Sequence, residues 1–368
     1  MTVKTGGYWA KRWRLWGGVL VLIAGARLVK IIQEDQMKMR IAEMPMKTVC
    51  VGRFLIDVPK HAIVSFGATR LAGWSISVDY DETDDAFEAR LAATETELRT
   101  MKNEKGWNSL ESVANIIADG LSGKVMLFDR EWGYLVEFGE RVYSTSAKVR
   151  GLARLHGVSF EFRAEALDSK DIPELVRIIK QVRNRDGEAI PSESGFCFDN
   201  SLVADPLHAG QNESTVMFVG LQSHPDLSIA LRSTAGIAHG RTLLQRDADT
   251  NFRSEYRWSV HNFRLGDRIV NGIPGQELMD RIREHSGVTG HDFEWEALSK
   301  KDSVFTPNLG LEMSTGHGRP GAPVQSSLSD VEAIALWDKI LSSLRVRPTR
   351  AVPAAAAASQ APVWARAD

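Results

Sequence analysis

The chain has 368 residues, 43% hydrophobic and 25% charged, ordinary globular material whose length suits two domains better than one. With 45 basic against 47 acidic side chains the formal charge is -2, so no basic stripe awaits DNA or RNA, and no nucleic acid is expected as a partner.

The N-terminus differs from the rest. Lys4, Lys11, Arg12 and Arg14 precede an uninterrupted apolar run of twelve, Leu15 to Ala26, which is the pattern of an export signal. Ala24 and Ala26 form an A-x-A sequence before Arg27, where cleavage is expected if the run is a signal peptide. If Leu28, Val29, Ile31 and Ile32 extend the helix, residues 15–32 act instead as a retained inner-membrane anchor, with Arg27 and Lys30 reaching for the headgroups. A buried soluble helix is the third reading. Either export route predicts a periplasmic protein, and loss of residues 1–26 takes the charge from -2 to -6. No cysteine follows the run, so a lipoprotein anchor has no attachment residue.

Two stretches, CVGRFLIDVPKHA at 50–62 and CFDNSLVADPLHA at 197–209, begin 147 residues apart and agree at five of thirteen positions. The shared residues pair Cys50 with Cys197, Leu55 with Leu202, Pro59 with Pro206, His61 with His208 and Ala62 with Ala209. Each apolar stretch reads as a strand ending where Pro cannot donate to a ladder. Strand patterns follow at 74–80 and 227–233, and each half closes on an amphipathic helix. In the first, Asp171 is the expected N-cap with Glu174 beyond it, and Leu175, Ile178, Ile179 and Val182 form the apolar face. In the second, Ser329 and Glu332 make the cap, and Ile334, Trp337, Leu341 and Leu344 the stripe.

Between those ends, DDAFEARLAATETELRTM at 84–101 and PGQELMDRIREH at 274–285 read as further helices. YLVEF, ARLHGVSFEFRAEA and HDFEWEAL alternate as strands of an antiparallel sheet do. The expected fold is α+β, with two similar, internally duplicated domains, each an antiparallel sheet with packed helices. The expected divisions are a signal or anchor with its connector at 1–46, domains at 47–187 and 195–348, a linker at 188–194 and an Ala/Pro-rich tail at 349–368. The two cysteines leave two readings open: a disulfide between Cys50 and Cys197, or two separately buried small side chains.

Catalytic patterns are near misses. There is no G-x-S-x-G, H-E-x-x-H or P-loop sequence, and GHGRPG at 316–321 has Pro320 inside it and no helix at its end to hold a pyrophosphate. The acidic run at 79–85 lacks the residues of a calcium loop and reads as the start of a helix. Glu284, His285, His291, Asp292, Glu294 and Glu296 fit no common zinc spacing; Glu294 and Glu296 alternate with Phe293 and Trp295 as the solvent face of a strand does. No enzyme activity, cofactor or metal is expected. Trp74, Trp107, Trp132, Trp258, Trp295 and Trp337 are contact candidates by residue type alone, and Trp337 reads as core.

TVCVGRFLIDVP, ESGFCFD, GIPGQELMDRI, HDFEWEAL and SLSDVEAIALWDKILSSLRVRP, in that order over about 47–348, resemble the type VI secretion immunity proteins that neutralise lipase effectors of the fourth class. The resemblance implies two similar domains arranged as a clamp. It also implies a periplasmic inhibitor whose partner is a cognate phospholipase effector, blocked at its substrate entrance or lid without chemistry by the inhibitor. The contact residues are not readable from the sequence.

Overall fold

The computed structural model describes residues 27–185, 189–205, 212–237, 240–298 and 303–350; the apolar run at 15–26, Pro206, His208 and the chain from 351 lie outside them. Residues 27–43 form helix α1; the carbonyls of Ile41 and Ala42 at its end and of Met44 just beyond it all accept from Lys339 Nζ at 2.6–2.9 Å. Among the described residues no helix is long and apolar enough to cross a membrane.

Two units then repeat one plan. The first opens with β1 (Met46–Val51) and β2 (Phe54–Pro59), followed by β3 (Ile63–Phe66), β4 (Thr69–Leu71), β5 (Trp74–Asp79) and helix α2 (Asp84–Thr100). A meander of β6 (Leu110–Ala118), β7 (Leu121–Glu137), β8 (Glu140–Leu155) and β9 (Val158–Leu167) precedes α3 (Ile172–Lys180) and β10 (Val182–Asn184). The second unit opens with β11 (Gly195–Phe198) and β12 (Ser201–Ala204), then β13 (Glu213–Leu221), β14 (His224–Ala235) and the short helices α4 (Leu243–Ala248) and α5 (Phe252–Glu255). Its meander is β15 (Val260–Val270), β16 (Ile273–Arg283), β17 (Thr289–Ala297) and β18 (Asn308–Ser314), closed by α6 (Asp330–Leu341) and β19 (Arg345–Val346).

Spatial order confirms the duplication. Strands run β4-β5-β9-β8-β7-β6 in one unit and β13-β14-β18-β17-β16-β15 in the other, so counterpart lies in the place of counterpart. These two α+β units, the arms of the clamp that the resemblance implies, are joined where β13 pairs antiparallel with both β3 and β4, making one sheet of 13 strands.

The opening hairpins are exchanged. β2 pairs with β19 of the second unit, while β12 pairs with β10 of the first. Accordingly Val51, Phe54, Ile56 and Val58 pack in a core with Met279, Phe293, Trp295 and Trp337, whereas Phe196, Phe198 and Val203 pack with Trp74, Phe160, Phe162 and Ile178. Each unit thus completes its core with residues drawn from the other, and neither linear segment holds its own core entire.

At the crossing, Gly52 and Cys197 exchange backbone hydrogen bonds of 2.8 Å, and Cys50 and Cys197 form a disulfide with Cα atoms 5.8 Å apart. In the ladders Cys50 faces Leu55 and Cys197 faces Leu202, and these four repeated residues form a buried cluster of their own. Beside it, Arg53 from the β1–β2 turn is 6% exposed and donates to Glu213 (2.6 and 3.0 Å) and Asp205 (3.2 Å). Burial works against its charge, but the two carboxylates more than offset that and hold the guanidinium above its ordinary pKa. Arg347 lies behind it, donating to the carbonyls of Pro191, Glu193 and Gly195 at 2.6–2.7 Å; burial, with Arg53 adjacent, pulls it down to about 10. The connector between the units is therefore pinned by the end of the second.

Three local readings change. The Cys-to-Pro stretches are hairpins and not single strands, reversing at Gly52–Arg53 and Asp199–Asn200, where Gly52 (φ 59°) and Asp199 (φ 46°) take the left-handed backbone of a two-residue turn. The continuous apolar pattern hid that reversal. PGQELMDRIREH is not a helix: it supplies strand β16. Its inward positions are Gly275, Glu277 and Met279, and a Gly and a Glu facing the core disguise the period of two. Glu277 is accommodated because Trp337 Nε1 donates to it at 2.7 Å and Arg268 pairs with it. Finally, Asp171 stands at the N-cap position of α3 as expected, but its side chain makes no cap bond to the helix. A single 3-10 turn, Ser169–Asp171, precedes the helix; Asp168 caps it, and the Asp171 carboxylate accepts from Asp168 N at 2.8 Å. Ser329 and Glu332 do form the capping box of α6.

The disulfide makes a direct prediction. Thiol titration in denaturant gives no free thiol before reduction and two after it, and C50A/C197A lowers unfolding free energy by about 4–5 kcal/mol, the chain-entropy value for so long a loop.

Candidate partner-binding site

The acidic run serves α2. Asp79 accepts from the backbone of Asp81 and Glu82 (2.9 and 3.1 Å), Thr83 caps the helix, Glu82 pairs with Arg90 and Asp84 with Arg154. No group of three or more His, Cys, Asp or Glu among the described residues is placed to hold a metal. His61 is exposed after β2, and Glu284 and His285 are exposed at the β16–β17 turn, away from the buried His291.

His291 deserves a catalytic test because Ser326, Thr315 and Asp330 surround it. Its Nδ1 lies 2.9 Å from Thr315 Oγ1 and 3.3 Å from Ser326 Oγ, and its Nε2 lies 3.0 Å from Asp330 Oδ1. Yet His291 is 3% exposed, and Ser326 spends its hydroxyl proton on Leu328 O at 2.9 Å. The cluster ties the start of α6 to the sheet. A cleft of about 330 Å³ alongside is lined by Asp292, Ser314 and His317, with Gly316 of the GHGRPG loop donating its N–H to Asp226.

Because the fold is duplicated, each unit is a control for the other: features required by the fold recur, and departures need another explanation. Two departures stand out. In the first unit α2 covers one sheet face, with Phe87, Leu91 and Leu98 packed on Met126 and Leu152. The corresponding face of the second unit carries Asp292, Glu294, Glu296 and Glu312, the three glutamates bridged by Arg232 and Arg246. Burial, then the neighbouring Glu296, pushes Glu294 up to about 7 even with Arg246 opposing.

The second departure is larger. β7 and β8 are 17 and 16 residues long, while their counterparts β16 and β17 have 11 and 9. The excess begins at an irregularity between Phe128 and Glu131, where Asp129 has φ 51°, and continues as seven ladder pairs from Glu131–Ser146 to Glu137–Glu140. At ~3.4 Å per residue this two-stranded ribbon reaches roughly 20 Å beyond the sheet.

Its surface is apolar without being buried. Tyr143 is 74% exposed, Val136 65%, Leu135 62%, and Phe138 at the tip is as open as in an extended chain. On one face Trp132, Tyr134 and Tyr143 follow one another; Trp107 meets Trp132 edge-on at 5.6 Å, Lys105 Nζ lies 3.7 Å from the Trp132 ring and Arg141 4.6 Å from Tyr134. Aromatic side chains with stacked cations are the usual anchors of protein interfaces. Of the six tryptophans named from sequence, Trp74, Trp295 and Trp337 are core, Trp258 is exposed with Arg257 5.1 Å from its ring, and Trp107 and Trp132 meet at the ribbon's base.

Comparison with known proteins agrees in extent. Residues 47–185 match the family described as Tle cognate immunity protein 4 N-terminal domain, and residues 189–349 match its C-terminal domain. Among solved structures, the apo form of TplEi, an immunity protein of the type VI secretion system of Pseudomonas aeruginosa, superposes with TM-score 0.69 at 26% identity, over 84% of this chain and 100% of that one. The Tle4–Tli4 complex gives 0.67 at 25% identity, covering 83% and 98%, and TplEi bound to a peptide designated L gives 0.63 at 26%, covering 83% and 99%. A search of curated protein sequences finds no match.

If Phe138 is there to bind and not to fold, its replacement is free. Phe138→Asn suits the left-handed backbone better, and urea denaturation should show stability unchanged or raised by up to ~1 kcal/mol. A loss above that marks Phe138 as part of the fold.

Proposed function

Because the chain belongs to the Tle cognate immunity protein 4 family, we propose that it binds and inhibits a cognate phospholipase effector of a type VI secretion system. The observation that carries this reading is the match of both family domains, in order, over residues 47–349. It acts as a non-catalytic inhibitor, as its family implies; around the buried His291, Ser326 Oγ is bonded to Leu328 O, and Thr315 and Asp330 engage the ring. Inhibition acts at the effector's substrate entrance or lid. A second complete unit gives the protein contact surface on both sides of the β13 seam, ample for the ~1,600 Å² of a stable complex.

We place its action in the periplasm, the compartment where a lipase can reach bilayer lipid and where a buried disulfide such as Cys50–Cys197 persists. Leu28, Val29, Ile31 and Ile32 on α1 are 49–59% exposed and continue the apolar run before them, which supports a tether at the inner membrane.

Purified protein titrated into the cognate lipase abolishes hydrolysis at one equivalent, with calorimetry reporting the same stoichiometry; an active lipase that is neither bound nor inhibited removes the immunity reading. After osmotic shock, the tethered form stays with membranes through a high-salt wash, whereas release with the periplasmic fluid shows a cleaved leader.

A further inference from the structure

The tip of the β7–β8 ribbon breaks three local rules at once. Among the described residues, four two-residue turns place a left-handed residue before a left-handed glycine: Ala72–Gly73, Phe138–Gly139, His156–Gly157 and Asn271–Gly272. Asn271 is the residue such a turn favours, and its side chain is used, donating to the carbonyls of Ser342 and Leu344 at 2.8 Å. Phe138 is a bulky residue in that backbone, at φ 52°, and its ring touches water on all sides. Next to it, Glu137 and Glu140 stand directly opposite in the ladder, both exposed, a like-charge pair that weakens a hairpin. Sequences that disregard local preference in one place do so where function requires it.

The side chains sort by face. Leu135, Glu137, Glu140 and Val142 share one face because each lies opposite or two residues from another, while Arg141 turns to the other and stacks on Tyr134. Read outward along that face, an aliphatic pair is followed by a carboxylate pair, with an aromatic ring at the end.

Resting on the immunity reading above, we propose that this tip imitates a phospholipid and occupies the substrate entrance of the cognate lipase. Phe138, Leu135 and Val142 stand in for the acyl chain, and the carboxylates of Glu137 and Glu140 for the phosphate. A phospholipase must present an apolar slot beside cationic or hydrogen-bonding groups for that phosphate, and the tip is complementary to both. The same charge argues against the membrane as occupant. Two carboxylates at the leading end are repelled by anionic lipid, and the nearest cation, Arg141, is held by Tyr134.

The test compares wild type with Phe138→Asn and with the double variant E137K/E140K against the purified cognate lipase, using a soluble short-chain phospholipid as substrate. Wild-type inhibition should be competitive, its apparent constant rising with substrate. Phe138→Asn should weaken binding at least ~30-fold, the loss expected of an interface anchor. E137K/E140K should slow association about 10-fold or more and remove its salt dependence. If wild type inhibits and both variants match it, or if its inhibition is indifferent to substrate concentration, the mimicry is overturned while the immunity reading stands. If wild type fails to bind an active lipase, both fall. Sedimentation with phosphatidylethanolamine–phosphatidylglycerol vesicles provides the remaining arm: binding by wild type that Phe138→Asn abolishes assigns the tip to the membrane and overturns the proposal.

Discussion

The rest of the structure depends on the crossing of two hairpins. Each opening hairpin leaves the unit that follows it in sequence and completes the core of the other, so the first unit needs the hairpin that opens the second, and the second needs strands made at the start of the chain. The crossing is secured by three different forces: paired backbone bonds between Gly52 and Cys197, a disulfide, and the Arg53 guanidinium held by Glu213 and Asp205. A buried ion pair is costly to desolvate and contributes little net stability, but it is intolerant of a missing partner. It therefore serves mainly to specify that hairpin and second unit meet in one register, while the hydrophobic clusters on either side supply most of the stabilising free energy.

This arrangement explains why the duplicated units remain so alike in topology at the seam and diverge at their far ends. Strands near β13 belong to one continuous sheet, and any change in length there would disturb pairing in both units. β7 and β8 lie four and three strands from β4, and their outer ends leave the sheet altogether. Extension there costs the fold nothing. A projecting ribbon on a rigid base suits an inhibitor, because it presents its contact residues without first ordering a loop.

The exposed tip has a physical consequence for the free protein. Apolar side chains at Leu135, Val136, Phe138 and Tyr143 lose their contact with water only when something else covers them. The carboxylates beside Phe138 limit self-association of two such tips by repulsion, which keeps the surface available for a partner of opposite character.

Much was legible in the sequence alone. The pattern of Cys50, Leu55, Cys197 and Leu202 revealed the duplication, helical spacing located α2, α3 and α6, and the order of motifs identified the family, because these are properties of neighbouring residues or of residues repeated at a fixed offset. The strand β16 was misread where Gly275 and Glu277 face the core, since only Trp337 and Arg268, far along the chain, make a buried Glu acceptable. Two further facts had no local trace. Exchange of the hairpins is a choice between two packings of the same pieces, and exposure of Phe138 depends on what does not lie over it. Local sequence sets periodicity, capping and turn chemistry; which surfaces meet, and which are left open to a partner, is decided only when the whole chain is packed.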